Sequence, residues 1–173
     1  MDRIQWICSA LDTPGGARVA GSPTVPEKMG VADKTKLWKK GTKLGVRFIG
    51  GTPELHGRVL KTARAWLEPG VKLDLVAAEG QPAQIRIAFN PKSGSWSYVG
   101  TDCLGILPGQ PTMNLGWAGL DTPEEDFSSV VIHEFGHALG LLHEHNHPDA
   151  KINWNKTAVY DDLRGDPNYW DDA

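Results

Sequence analysis

A chain of 173 residues is long enough for one domain with a hydrophobic core and too short for two comfortable ones. With 40% apolar and 23% charged residues, 20 glycines and 12 prolines, and no apolar run near the roughly 18 residues of a membrane span, it reads as a soluble globular chain rich in turns, with no membrane partner. The net charge of −3 conceals a basic first part, 13 Lys/Arg against 6 Asp/Glu over residues 1–72, and an acidic remainder, 5 against 15; the basic run KTKLWKKGTK reads as a solvated approach to the first strand, with no nucleic-acid role.

The N-terminal stretch MDRIQWICSALDTPGG has no basic region followed by an apolar core, so no secretory signal is expected in it. Residues 1–36, rich in Gly, Pro and Ser from residue 9 onward and without a sustained period, are expected to be a flexible or extended lead-in, with the domain starting near Leu37. The alternation of Leu44, Val46 and Phe48 in KLGVRFIGG predicts a first strand. Thr52 as N-cap, Pro53 at the first helical position, and Leu55, Val59, Ala63 and Trp66 at helical spacing predict an amphipathic helix that stops at Pro69-Gly70. Strands follow over residues 71–78 and 83–89, and shorter ones at SWSYVG (95–100) and PTMNLGW (111–117). Then DTPEEDFSSVVIHEFGHALG predicts a second helix from about Pro123 to Leu139, with Thr122 as N-cap, Glu125 completing a capping box, and Gly140 as the stop. Cys8 and Cys103 form no CxxC pair, which excludes a sulfur-based zinc site and leaves open whether they pair with each other.

His133 and His137 stand at i and i+4, so both imidazoles project from one face of that helix, one turn apart. A catalytic zinc site uses three protein ligands and keeps a position for water. His143 lies six residues beyond His137, and continued helix would carry it about 600° round and roughly 9 Å along the axis, out of reach. A left-handed Gly140 can break the helix and turn His143 back. Glu134 sits about 100° round the helix from His133 and suits a general base for metal-assisted amide hydrolysis. Five specified positions arise by chance on the order of once in 10⁷ starting points, which disfavours a coincidental set of surface histidines.

These residues resemble a metzincin, the zinc-endopeptidase clan with the motif HExxHxxGxxH. Glu144 directly after the third histidine is similar to the astacin form of the motif, and SWSYVG resembles the cysteine-tryptophan-serine segment that lies upstream of it in astacins. The phrase WSYVGTDCLGILPGQPTMNLGW also resembles bacterial and fungal astacin-like proteins, and the likeness covers roughly residues 37–155. It implies an α+β fold: a twisted, mostly parallel sheet of about five strands with an antiparallel edge strand, packed on two long helices, the second carrying the zinc motif. Residues 37–173 would be the catalytic domain, mainly its N-terminal subdomain. The function implied is a secreted zinc endopeptidase with Zn²⁺ on His133, His137 and His143 and Glu134 as catalytic residue. An extended protein or peptide substrate would lie along the edge strand at Trp96, Ser97 and Tyr98. Glu144 would brace neighbouring structure.

The same likeness implies a methionine-containing turn after the third histidine, whereas methionines stand only at 1, 29 and 113. The expectation is therefore either a piece of a longer enzyme or a version whose site floor is built otherwise, and the alternative function is a zinc-binding, non-hydrolytic domain or truncated fragment. Tyr160 and Tyr169 are weak substitutes for the tyrosine of that turn, and Asp161 or Asp162 as third ligand lacks the expected helical context. His145 and His147 are expected to be solvated or to shape the exit loop, and His56 lies outside the site. A thiolate of Cys8, carried on a tether, is a candidate blocker of the open zinc position.

Overall fold

The computed structural model describes residues 8–11, 31–67, 69–78, 82–143 and 157. The chain divides into two compact units, Met1–His143 and Glu144–Ala173. Of the second, Thr157 is described, an exposed residue in helical conformation. Expectations for Glu144, His145, His147, Tyr160, Asp161, Asp162 and Tyr169 lie outside the described residues, as does the side chain of Cys8.

The first unit is built on β1 (Cys8–Leu11), β2 (Val31–Ala32), β3 (Lys43–Ile49), α1 (Pro53–Ala63), β4 (Asp74–Ala77), β5 (Ile85–Ala88), β6 (Ser95–Tyr98), β7 (Met113–Leu115), α2 (Glu124–Ala138) and β8 (Leu141–Leu142). The main sheet runs β1-β6-β7-β5-β3-β4, and β2 pairs separately with β8. Strands β3, β4, β5 and β7 are parallel and β6 is antiparallel to β7, the mixed, mostly parallel arrangement that the family resemblance implied. Beyond it lies β1, parallel to β6 and in register Cys8↔Ser95 to Leu11↔Tyr98, so β6 is not the outermost strand. The stretch expected as a lead-in thus contributes two extended pieces that are paired, one in each sheet.

Both helices cover one face of the sheet. Leu44 and Val46 of β3, Ile85 and Ile87 of β5, and Met113 and Leu115 of β7 alternate inward as period-2 strands must, and meet Leu55, Val59 and Ala63 of α1 and Phe127, Val131 and Phe135 of α2. All are nearly or fully buried, so the apolar stripes of both helices are spent on a single core. On the other side of β5, Arg86 holds the loop of residues 106–110. Its guanidinium donates to the carbonyls of Ala83, Ile106, Leu107 and Gln110 at 2.7–3.3 Å. Burial drives the pKa of this arginine below its ordinary value, and the four carbonyls offset part of that cost.

Helix α1 starts as the residues demand, with the Thr52 hydroxyl accepting from the Leu55 N–H at 3.3 Å and Pro53 next. Helix α2 does not. It begins at Glu124 with Pro123 in the cap position and no side-chain cap, because the Thr122 hydroxyl donates instead to the Trp117 carbonyl and accepts from the Gly119 N–H. The expected capping box is therefore replaced by a clamp from α1. Arg58 donates to the carbonyls of Gly119, Leu120 and Thr122 and to Glu124 Oε2, all at 2.9–3.0 Å, and lies 3.8 Å over the Phe127 ring. Arg58→Met keeps the apolar stem and removes these bonds. It is expected to cost about 2–3 kcal/mol, read as a lower urea midpoint with unchanged m-value; a loss below about 0.5 kcal/mol would assign the entry of α2 to packing alone.

Candidate metal centre

Helix α2 ends at Ala138 with Leu139 as its cap residue, and Gly140 follows at φ 106°, in the left-handed region. A side chain there would also meet Leu37 at 2.8 Å. The chain reverses, β8 pairs with β2, and His143 returns to the ligand face of the helix. The three Nε2 atoms form a nearly equilateral triangle: His133 to His137 3.1 Å, His137 to His143 3.1 Å, His133 to His143 3.2 Å.

The triangle fits the geometry of zinc. Tetrahedral bonds of about 2.0–2.1 Å require ligand nitrogens roughly 3.3–3.4 Å apart, close to the spacing found, with the fourth apex left for water. The protons agree with this. His137 Nδ1 donates to the Leu141 carbonyl at 2.8 Å, so its Nε2 presents a lone pair to the centre. Burial, and then the neighbouring His137, push the pKa of His133 below the ordinary histidine value, favouring the neutral imidazole a metal needs. Among the described residues this is the one cluster of His, Cys, Asp or Glu that brings three potential ligand atoms together.

Glu134, next to His133, is 1% exposed. His56 is elsewhere, its ring stacked 4.0 Å from Phe48 and its Nε2 2.8 Å from the Gly50 carbonyl oxygen. Cys103 is a core residue whose thiol burial pushes up to about 11. On β6, Trp96 and Tyr98 share one half-buried face with their rings 6.0 Å apart, edge to face. Ser97 points the other way, is 1% exposed, and donates its hydroxyl to the Tyr98 carbonyl at 3.0 Å. The Ser97 side chain is thus withdrawn from the face that Trp96 and Tyr98 share.

Two tryptophans brace α2 from outside the motif. Trp66 Nε1–H donates to the Ile132 carbonyl at 2.9 Å and Trp38 Nε1–H to the Ala138 carbonyl at 2.8 Å, each one residue from a ligand histidine. Trp66 was legible only as an apolar helix position, and Trp38 was hidden in a lysine-rich run. The Leu141 carbonyl carried no signal at all, because any residue type supplies one.

Residues 31–162 match the profile of Astacin, a peptidase family. A structure of myroilysin superposes with a TM-score of 0.77 at 40% identity, covering 83% of this chain and 69% of that one. A crystal structure of myroilysin superposes at 0.62 and 41%, covering 79% and 59%. The chain therefore spans about two thirds of the length of these solved relatives. A comparison with curated proteins found no match. Titration of metal-free protein is expected to show one zinc per chain. His137→Ala is expected to weaken it by 100-fold or more, on the order of the loss from removing one of three ligands; tight zinc retained in His137→Ala would overturn the ligand set.

Proposed function

The chain belongs to the astacin family of zinc metalloendopeptidases, its zinc held by His133, His137 and His143, and we propose that Glu134 is its general base and β6 its substrate-pairing strand. The carrying observation is the triangle of imidazole nitrogens, with Glu134, the residue after the first ligand, withdrawn from solvent. Zinc, when bound, acts as a Lewis acid that lowers the pKa of a water towards about 7 and polarises the carbonyl under attack. The chain's own residues do the rest. Glu134, one residue from a ligand and buried, takes the proton of the attacking water at a carboxylate oxygen and returns it to the leaving amine. Its burial keeps bulk water from competing for that proton.

A protein or peptide substrate binds in extended form, its backbone pairing with β6 and its side chains passing Trp96 and Tyr98. Backbone pairing makes few demands on substrate sequence. In the present structure β1 holds those ladder positions, Ser9↔Trp96 and Ala10↔Ser97, so a substrate reaches the edge only when β1 leaves it. We place the start of the catalytic domain at residue 31, not 37, because β2 pairs with the strand that leads to His143.

Glu134→Gln is expected to keep stoichiometric zinc and lose peptide hydrolysis by about 10²–10⁴-fold. Loss of metal in that variant would make Glu134 a structural partner of the ligands. A chain lacking residues 1–30 is expected to cleave a peptide library faster than the full chain at equal zinc content. Equal rates would argue that substrate does not use the β6 edge.

A further inference from the structure

Residues 31–38 precede the first long strand, yet they touch most of the chain between the second and third ligands. β2 pairs with β8 in register Val31↔Leu142 and Ala32↔Leu141. The Lys36 carbonyl accepts the Thr101 N–H at 2.9 Å, and its ammonium meets Asp102 Oδ2 at 2.7 Å, both side chains being only 13% and 12% exposed. Leu37 closes over Gly140, and Trp38 donates to the Ala138 carbonyl. Where Lys36 passes Gly100, a Cβ on that glycine would overlap the Lys36 carbonyl, so this crossing admits no side chain. Residues 138, 140, 141 and 142 are thus each engaged by the same short segment.

We propose that residues 31–38 are a positioning strap for the third zinc ligand, His143, an inference that rests on the triad reading above. The backbone of His133 and His137 is placed by α2 itself. His143 follows a glycine whose backbone is free to take many conformations, and ordering the residues up to it is entropically unfavourable. A ladder of two residues is too short to hold itself. It is pinned on the far side by the ion pair to Asp102, shielded from water more than a surface pair, and by the indole of Trp38 on the end of α2. With the strap in place, the Leu141 carbonyl that orients His137 and the imidazole of His143 are both set before metal arrives. The strap touches no substrate and no reacting atom; it acts chiefly through His143, and on His137 only by way of the Leu141 carbonyl.

The test uses the full chain with three changes: Val31→Pro with Ala32→Pro together, which removes the N–H of both β2 residues and so whichever of them pairs with β8; Lys36→Met; and Trp38→Phe. Zinc affinity is measured against a competing chelator, and coordination is read from the visible absorption of the cobalt(II)-substituted protein, strong when four-coordinate and weak when water-rich. The double-proline chain is expected to bind zinc about 10- to 100-fold more weakly and to lose absorption intensity. Adding His143→Ala to it should cost little more, although His143→Ala alone is costly; a general loss of stability would make the two losses additive. Lys36→Met and Trp38→Phe should weaken binding in the same direction by less. Wild-type affinity and spectrum in a folded double-proline chain, or an undiminished His143→Ala loss in it, would overturn the proposal. If that chain does not fold, wild-type affinity in both single variants overturns it equally. Failure of the unmodified chain to bind zinc at all would instead refute the triad and this inference with it.

Discussion

Three imidazole nitrogens within 3.2 Å of one another are the constraint around which the first unit is arranged. Lone pairs converging at that distance are complementary to one cation, so the backbone must deliver all three imidazoles to a single point. Helix periodicity does this for two of the three. The third depends on one left-handed residue, Gly140, and on a reversal that the helix itself cannot supply.

Rigidity is delivered to that reversal from several directions. Arg58 fixes where α2 begins by gathering three loop carbonyls and Glu124, and thereby compensates for the missing side-chain cap. Trp66 and Trp38 fix its later turns through carbonyls adjacent to the ligands. The core beneath is dense: Phe127, Val131 and Phe135 are fully buried against β3, β5 and β7, so a shift of α2 along its axis would open voids in a close-packed interior. The ligand face of α2 is left as the side from which chemistry can be approached.

The edge of the sheet tells a second story about occupancy. An antiparallel strand beside a metal site offers a ladder to an extended peptide, but that ladder is equally available to any segment of the same chain. Here β1 takes it, in parallel register, from Cys8↔Ser95 to Leu11↔Tyr98, over the residues proposed for substrate. The glycine- and proline-rich composition around residues 12–30 suppressed any periodic signal, and pairing of strands so distant in sequence leaves no mark in either one. Similar reasoning covers the Thr122 cap. The residue type was right for a cap, but a hydroxyl can be claimed by any nearby carbonyl, and Trp117 claimed it.

The local facts were carried by sequence alone: the strands around Leu44–Phe48 and Ile85–Ile87, the α1 helix capped by Thr52, the i, i+4 histidines with Glu134 between them, and the glycine that must end α2. Each follows from a period, a cap or a steric exception that spans no more than a few turns. The family resemblance rested on the motif from His133 to His143, on Glu144 after it and on the SWSYVG segment upstream. What only the tertiary structure decided was everything that required distant segments to meet: β1 on β6, residues 31–38 on the approach to His143, Arg58 and the two tryptophans on α2, and the Leu141 carbonyl on His137. Backbone amides and indole N–H groups bond wherever the fold brings an acceptor. Their partners are therefore set by packing, and no residue type announces them.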